Sequence, residues 1–311
     1  MYVVAEMSAN HNGKLETALE IVEKAAEAGA DAVKLQTYTP DGMSLDPDLQ
    51  KLYHKGALPR KWHRPIFERA RELGITCFSA PFTIDDVDFL ESLDCPMYKV
   101  ASFEITDIPL VEYIASKGKP MIISAGMATV QEINLALRAA QDVPVTLLKC
   151  TSAYPATPKE ANILTIPDMA KKYPHVTIGI SDHTPGIGVA VAAVGLGAQV
   201  VEKHFTVERK GLDKDVSLMP TQFAQLVEEC HRAEEARGKV YYGVSPGEWT
   251  QYRRSLWVVK DIAQGETLTH GNIRSLRPVG GLDPAALPVV LGKEATRDLQ
   301  RGEPLTWASF R

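Results

Sequence analysis

Two stretches near the middle of the chain decide its fold: VTIGISDHT at residues 176–184 and QVVEKHFT at residues 199–206. Each opens with an apolar, β-branched run that is typical of a buried strand. Each also places a histidine, His183 or His204, just past the carboxyl end of that strand. Two imidazoles at neighbouring strand ends can bind one divalent metal ion and leave positions free for water and substrate. The pattern therefore favours metal-assisted chemistry on a small molecule; the alternative is two neutral imidazoles that only form hydrogen bonds.

The same strand-and-helix unit recurs through the first three quarters of the chain. Residues 15–28, with Gly29 just past their end, form the clearest amphipathic helical pattern. Eight such units in about 240 residues predict an α/β fold of the TIM type, a closed (β/α)8 barrel. An open doubly wound sheet is the alternative, but the chain lacks the Gly-rich first turn of a dinucleotide-binding fold. The predicted strands are Tyr2–Glu6, Ala32–Gln36, Thr76–Ser79, Met97–Ala101, Met121–Ser124, Val145–Lys149, Val176–Ile180 and Gln199–Lys203.

The last quarter of the chain has a different pattern. Residues 241–253 are rich in Gly, Pro and Ser and predict a linker that follows a barrel domain of residues 1–240. Residues 254–311 predict a small, mostly β domain, with strands at Ser255–Val259 and Ile273–Leu276 and a helical segment at Pro284–Leu291. A domain of this size has a small core, so we expect it to dock on another surface.

Composition excludes several classes of partner. The 311 residues are 45% hydrophobic with a formal net charge of -5, and no basic cluster suggests binding to nucleic acid. No apolar run reaches the ~18–20 residues that cross a membrane, and the first strand begins where a signal peptide would lie. The four cysteines are scattered without a CxxC spacing, which indicates reduced thiols. We therefore expect a cytoplasmic protein without nucleic-acid or membrane partners.

Polar side chains cluster where the predicted strands end, which is the catalytic face of such a barrel. Four of them are lysines, Lys34, Lys99, Lys149 and Lys203, and together they predict an electropositive pocket in an acidic protein. Such a pocket suits a small anion, for example a phosphate ester that carries a carboxylate. A lysine there can instead be a salt-bridge partner or form a Schiff base, as in an aldolase. The other strand-end residues are Glu6, Gln36, Ser79, Ser102, Ser124, Thr151, Ser152, Tyr154 and Ser181.

The remaining polar residues suggest structural roles. Asp182 either orients His183 or caps the turn that follows it, and the sequence leaves both roles open. Five histidines lie in polar or loop contexts and are predicted to be surface residues: His54, His63, His175, His231 and His270.

Six motifs follow one another along the chain: AEMSANHN at 5–12, KLQTYTPD at 34–41, YKVASFE at 98–104, CTSAYP at 150–155, SDHT at 181–184 and EKHFT at 202–206. In this order they closely resemble the motifs of the sialic acid synthase family. MSANHN, QTYTPD and ASFE are most similar to the pseudaminic acid synthase branch of that family. The segment around residues 272–278 is similar to the antifreeze-like (SAF) domain of these enzymes. The resemblance thus covers essentially the whole chain.

This resemblance implies an enzyme that condenses phosphoenolpyruvate with an open-chain amino sugar aldehyde and releases phosphate. It implies that His183 and His204 hold a divalent metal, Mn or Mg, and that Glu6 is a general base. Arg277 matches an arginine that the SAF domain of one subunit inserts into the active site of the other, which implies a domain-swapped homodimer. The implied sugar contacts are Gln36, Tyr154, Asp213 and Arg277. The implied phosphoenolpyruvate contacts are Lys34, Ser79, Lys99, Ser102, Ser152 and Ser181.

Two departures from the family lie on the sugar side. Residues 41–61 form a compact loop in which no sugar-contacting asparagine aligns, and Ser152 stands where sialic acid synthases tend to have asparagine. Both favour 2,4-diacetamido-2,4,6-trideoxy-altrose over N-acetylmannosamine as the sugar, with a nine-carbon nonulosonic acid as product. N-acetylneuraminate and legionaminate synthases are the alternatives with the same chemistry. A Schiff-base aldolase and a non-catalytic carbohydrate- or ice-binding protein are the remote ones.

Overall fold

Eight parallel strands close into a barrel in the computed structural model of the protein, which describes residues 1–311. The barrel strands are β1 Tyr2–Glu6, β2 Ala32–Thr37, β3 Thr76–Pro81, β4 Tyr98–Val100, β5 Met121–Ser124, β6 Val145–Cys150, β7 Thr177–Asp182 and β8 Val200–His204. β1 pairs with both β2 and β8, so that Glu6 lies level with Lys34 and His204. The predicted (β/α)8 barrel is confirmed, and the open sheet is wrong because the first and last strands are hydrogen-bonded to each other.

Helices connect the strands and cover the outside of the barrel. The first of them buries its apolar positions against the barrel and ends before Gly29, whose φ of +83° suits a residue without a Cβ. No helix of the molecule is both long enough and apolar enough to span a membrane. The α-helices are α1 Leu15–Glu27, α2 Pro40–Met43, α3 Pro47–Gly56, α4 Arg60–Glu72, α5 Ile84–Glu91, α6 Ile108–Ala115, α7 Val130–Ala139, α8 Thr165–Lys172, α9 Gly188–Gly195, α10 Pro220–Arg237 and α11 Leu287–Val290.

The chain divides into two compact units, Met1–Gly238 and Lys239–Arg311. In the second unit, β9 (Ser255–Val258) pairs antiparallel with β10 (Ile273–Leu276), close to the predicted strands. This unit has its own small core of nine buried apolar residues, which include Leu256, Ile273 and Val290. Residues 241–253, where the sequence predicts a linker, contain no strand and no α-helix and are exposed. The small core agrees with a unit of marginal stability.

Side chains on each barrel strand point alternately into the barrel and out toward the helices. On β8, Glu202 and His204 therefore face inward while Lys203 faces outward, and all three are buried. The same alternation places Ser181 inward and Asp182 outward on β7. Strand-end residues thus form two sets, of which only the inward one can meet a substrate at the barrel mouth.

Candidate active site

A small buried cavity of about 40 Å³ lies among the carboxyl ends of the barrel strands, and we call it the inner chamber. It is lined by Glu6, Lys34, Gln36, Lys99, Ala101, Ser102, Ser124, Cys150, Tyr154, Ser181, His183, Glu202 and His204. Most of these residues are polar or ionisable, although the barrel around them is apolar. Charge buried in this way is costly unless it serves a ligand or is paired.

Two carboxylates and one lysine form the most buried part of the inner chamber. Lys34 Nζ lies 2.6 Å from Glu6 Oε2 and 3.9 Å from Glu202 Oε1, and the Ser181 hydroxyl donates to Glu202 at 2.9 Å. Burial raises the pKa of Glu6 to about 7, because it outweighs the opposing effect of Lys34. Burial also disfavours the charge of Glu202, but Lys34 and Lys99 outweigh it and lower its pKa. At neutral pH Glu202 is therefore ionised, while Glu6 can both give and take a proton.

The second buried lysine, Lys99, contacts one hydroxyl group, and two further hydroxyls lie beside Gly126. Lys99 Nζ lies 2.6 Å from Ser124 Oγ and 2.9 Å from the Val100 carbonyl, and burial lowers its pKa. Nearby, the Gly126 amide donates to Ser102 Oγ at 3.0 Å. A Cβ at Gly126 would lie 2.3 Å from Ser152 Oγ and 2.6 Å from Ser102 Oγ, so a larger residue there would displace these two hydroxyls. A lysine with several hydroxyls is suited to bind the oxygens of a small anion.

The two histidines face each other with their ring centroids 5.2 Å apart. His183 Nδ1 lies 2.9 Å from the Thr151 carbonyl, so this nitrogen donates and Nε2 is left for another partner. Burial disfavours the charged imidazolium, but Cys150 and the Thr151 carbonyl outweigh it and raise the pKa of His183. Burial lowers the pKa of His204 to about 3, which keeps its imidazole neutral, and its Nδ1 is buried without a hydrogen-bond partner. The Tyr154 ring packs on His183 with centroids 4.2 Å apart.

The two histidines and Glu202 are the candidate ligands of a divalent metal ion. A metal ion binds the neutral imidazole, which is the form of His204 here, and it displaces the proton from His183 on binding. The Glu202 Oε2 atom nearby is also buried without a partner. No three His, Cys, Asp or Glu side chains converge as a ready-made metal site. The residues therefore fit a metal ion held by the two histidines, with water or substrate in the remaining coordination positions of the ion.

A larger cavity of about 380 Å³ adjoins the inner chamber, and we call it the outer chamber. It is lined by Ser8, Ala9, Gln36, Tyr38, Leu52, Tyr53, Gly56, Tyr154, His204, Leu212 and Asp213. Gln36, Tyr154 and His204 line both chambers, so the two chambers adjoin at these side chains. Asp213 is its only carboxylate, and its Oδ2 accepts from the Ala9 amide at 3.1 Å. One molecule with an anionic end and a bulkier neutral end, or two molecules that meet at the histidines, would fill both chambers.

Comparison with known proteins shows the family of the chain. Residues 21–242 match the NeuB family and residues 253–311 match the SAF domain. The chain belongs to the NeuB family. It is 40% identical to the pseudaminic acid synthase of Helicobacter pylori, covering 98% of this chain and 96% of that one. It is 33% identical to the N,N'-diacetyllegionaminic acid synthase of Campylobacter jejuni, covering 97% of each. The crystal structure of an N-acetylneuraminic acid synthetase from Leptospira borgpetersenii superposes with a TM-score of 0.76 at 32% identity, covering 79% of this chain and 88% of that one.

The inner and outer chambers of this NeuB-family chain contain most of the predicted site residues, with Ser152 beside them. Ser79 is an exception. Its hydroxyl lies 2.6 Å from Thr37 Oγ1, which in turn lies 2.8 Å from His63 Nε2, and Ser79 lines neither chamber. The prediction that His63 is a surface residue is wrong, because its side chain is fully buried in this hydrogen-bonded group. Arg277 belongs to the second unit.

The prediction of four converging lysines is wrong for two of them. Lys203 forms a buried ion pair with Asp182 at 2.7 Å and also donates to the Thr184 carbonyl. Lys149 donates to the Cys150 carbonyl at 2.7 Å and does not line the inner chamber. Asp182 itself accepts from the Thr184 amide, so it caps the turn and neutralises Lys203. Of the four lysines, only Lys34 and Lys99 therefore bring positive charge into the inner chamber.

Sequence reasoning assigned no role to two residues of the inner chamber, Glu202 and Cys150. Glu202 stands two residues before His204 on one strand, and this spacing alone could have placed both on the inward face. Burial disfavours ionisation of the Cys150 thiol, but His183, Ser102 and Lys99 outweigh it and lower its pKa to about 7. Nothing in the motif CTSAYP distinguishes this thiol from an inert buried cysteine.

Proposed function

We propose that this enzyme condenses phosphoenolpyruvate with open-chain 2,4-diacetamido-2,4,6-trideoxy-altrose to give a nine-carbon nonulosonic acid and phosphate. The observation that carries the proposal is that the two chambers adjoin at His204, the inner one with two buried lysines and the outer one larger and lined mostly by uncharged side chains. Identity to a pseudaminic acid synthase exceeds identity to a legionaminic acid synthase, 40% against 33%, which supports the choice of sugar. N-acetylneuraminate and legionaminate synthesis are the alternatives that differ only in the sugar.

In this proposal phosphoenolpyruvate binds in the inner chamber. Lys34 and Lys99 neutralise its phosphate and carboxylate, and the hydroxyls of Ser102, Ser152 and Ser181 complete the contacts. Ser79 is not proposed to contact phosphoenolpyruvate, because its hydroxyl is hydrogen-bonded to Thr37 on the outward side of β3. Holding an anion in a site with two buried ammonium groups offsets the cost of burying those charges.

His183 and His204 would hold the divalent ion, Mn²⁺ or Mg²⁺, which when bound supplies a Lewis acid that polarises the sugar aldehyde. The chain's own residues manage the protons. Carbon–carbon bond formation at the aldehyde requires a proton for its oxygen, and the later attack of water at C2 of the former phosphoenolpyruvate releases one. Glu6, whose pKa is raised to about 7, is suited to both steps. Gln36, Tyr154 and Asp213 position the sugar from the outer chamber.

We further propose that the second unit completes the active site of a second copy of the chain in a domain-swapped homodimer. Arg277 lines a concavity of about 570 Å³ together with Lys260, Arg274 and Arg301, none of which forms a salt bridge in the monomer. Residues 239–311 contain 10 Lys and Arg against 7 Asp and Glu, whereas residues 1–238 contain 24 against 32. Opposite net charges favour contact between this concavity and the acidic unit of a partner.

Mixing two inactive variants tests this dimer. His183→Ala disables the barrel and Arg277→Ala disables the second unit, but a swapped heterodimer of the two contains one intact site. Random exchange of subunits should restore about a quarter of the wild-type turnover. If the mixture stays as inactive as its components although subunits exchange, Arg277 acts in its own chain.

The reaction is tested by phosphate release from phosphoenolpyruvate, with Mn²⁺ or with a chelator, across three sugars. Release that needs metal and has its highest kcat/KM with the diacetamido-trideoxy-altrose is the expected result. A higher kcat/KM with N-acetylmannosamine, or with the legionaminate-type sugar, would assign the chain to that alternative. Turnover that resists chelation and is trapped by borohydride would replace the mechanism with a Schiff base on Lys99 or Lys34. Sugar binding without any release would leave a carbohydrate-binding protein.

The four cysteines support a cytoplasmic location. Cys77, Cys95, Cys150 and Cys230 are all free and buried, as expected in a reducing compartment. Fluorescence microscopy of the tagged chain would test this, and a periplasmic or surface signal would contradict it.

A further inference from the structure

Apolar side chains form one wall of the outer chamber, although the chamber adjoins a strongly polar site. Leu52 on α3 and Leu212 in the turn after β8 both line it, with 47% and 48% of their surfaces exposed. Tyr38 and Tyr53 add aromatic rings to the same chamber. Large apolar side chains that stay half exposed beside a cavity indicate a surface that a ligand covers.

We infer that Leu52 and Leu212 are specificity-determining residues that contact methyl groups of the sugar, namely its C6 methyl and an acetamido methyl. This inference rests on the proposed function and deepens it. A 2,4-diacetamido-2,4,6-trideoxy sugar carries three methyl groups, whereas N-acetylmannosamine carries one and ends in a hydroxymethyl group. A hydroxyl packed against leucine loses its water without gaining a partner, so the wall selects against the more hydroxylated sugar.

The wall is built on fixed supports. The Asp46 side chain caps α3 by accepting from the amides of Asp48 and Leu49, which fixes the start of the helix that carries Leu52. Where α3 ends, a Cβ at Gly56 would lie 2.8 Å from Tyr38 Oη, so glycine lets the helix pack closely on that tyrosine. The Tyr38 ring also packs edge-on against Tyr53 and Phe82, with centroids 5.9 and 5.4 Å apart.

Leu212 is held from the other side. The preceding Gly211 has a φ of +97°, and a Cβ there would lie 2.2 Å from Asn12 Oδ1. Only a glycine therefore allows this turn to lie against the loop that follows β1. Leu212 and Leu52 come from segments far apart in the chain but line one chamber, as expected of a preformed wall.

Few polar groups face this wall. Besides the residues shared with the inner chamber, the side chains that can bond a sugar hydroxyl are those of Ser8, Tyr38, Tyr53 and Asp213. Tyr38 Oη already donates to the Tyr53 carbonyl at 3.4 Å. The outer chamber thus satisfies a small number of hydroxyls and leaves its leucine side for methyl groups.

The test measures steady-state kinetics of Leu52→Ala, Leu212→Ala and Leu52→Gln with the diacetamido-trideoxy-altrose and with N-acetylmannosamine. Leu49→Ala is the matched control, since Leu49 lies on the same helix at 44% exposure but does not line the chamber. Each alanine variant should lose about tenfold in kcat/KM for the trideoxy sugar, through KM, with KM for phosphoenolpyruvate unchanged. Leu52→Gln should lower the ratio of kcat/KM for the trideoxy sugar to that for N-acetylmannosamine further, because the glutamine amide can form a hydrogen bond with a sugar hydroxyl.

Two outcomes overturn the inference: an unchanged ratio of kcat/KM between the two sugars in all three variants, or an equal loss in Leu49→Ala. Calorimetric titration with the reduced, unreactive alditol of the trideoxy sugar, in the presence of phosphoenolpyruvate and Mn²⁺, separates this failure from failure of the proposed function. If alditol binding weakens in Leu52→Ala while wild type shows no turnover, the leucine contacts to the sugar are supported and the proposed reaction is rejected. If the alditol does not bind to wild type, the proposed leucine contacts are rejected.

Discussion

The inner and outer chambers share three residues but differ in almost every physical property. The inner chamber is about a tenth of the volume of the outer one, 40 against 380 Å³, and is lined by buried ionisable groups from six of the eight strands and the turns that follow them. The outer chamber combines one carboxylate with leucine and tyrosine side chains, most of them from helices and turns. Groups on barrel strands are held by hydrogen bonds on both sides, whereas loop segments can change with little effect on the fold. The difference suggests that the barrel fixes the chemistry and the loops choose the sugar.

The largest expected effect tests whether the chemistry depends on the histidine pair. His183→Ala or His204→Ala should lower kcat at least about a thousandfold, because each removes one of only two imidazole donors. Circular dichroism should show an intact barrel, and bound Mn²⁺ measured by mass spectrometry should fall below one per chain. His175→Ala is the control, since His175 is exposed and remote from the chambers. Near-normal turnover by either variant would contradict the proposed metal ion at the histidine pair.

A smaller effect compares inward and outward lysines. Lys99→Met should raise KM for phosphoenolpyruvate about a hundredfold, because a buried charge that contacts the anion is lost. Lys149→Met removes a strand-end lysine that does not line the inner chamber and should change KM less than about threefold. Equilibrium titration with phosphoenolpyruvate, monitored by tryptophan fluorescence, compares the affinities of the two variants without turnover. Equal effects of the two substitutions would mean that the anion binds elsewhere.

Lys99 and Lys149 also show how far the sequence predicts the site. The βα alternation is enough to place all eight strands, because each strand is a short β-branched run bounded by helical patterns. It also brings Glu6, Lys34, Lys99 and both histidines to one end of the barrel. The direction of each side chain depends on the register within the strand, where a shift of one residue exchanges the inward and outward faces. The sequence pattern therefore predicts Lys203 on the wrong face and does not point to its neighbour Glu202.

The outer chamber was less predictable for a different reason. Leu52 lies on α3, in residues 41–61 that the sequence suggests only as a compact loop, and Leu212 lies in a turn without a motif. Neither position has a periodic pattern that points to a chamber, because the two segments meet only in the folded barrel. His63 was misassigned for a related reason: its neighbours in the chain are polar, but its partner Thr37 comes from β2. Contacts between distant segments are not contained in local composition.

The smallest expected effect concerns His63, on the outward face of the strands, which should affect stability but not catalysis. Burial lowers the pKa of His63 to about 4, so the folded protein keeps this imidazole neutral where the unfolded chain, with a pKa near 6.5, takes up a proton. The unfolded state thus binds more protons between these values, and stability is lost as pH falls through this window. Between pH 7 and pH 5 the contribution of His63 to the free energy of unfolding should fall by about 2 kcal/mol.

Urea unfolding of wild type and His63→Gln at pH 7, 6 and 5 measures this contribution. Glutamine keeps a polar group near Thr37 but does not titrate, so the variant should lose less stability than wild type as pH falls. His11 and His204, whose pKa values are also lowered by burial, remain in both proteins and cancel in the comparison. At pH 7 the variant should keep its kcat and its KM for phosphoenolpyruvate, because His63 touches neither chamber. Parallel pH curves for the two proteins would show that His63 is not held neutral, whereas a raised KM would show that the outward face of β2 and β3 also positions the anion.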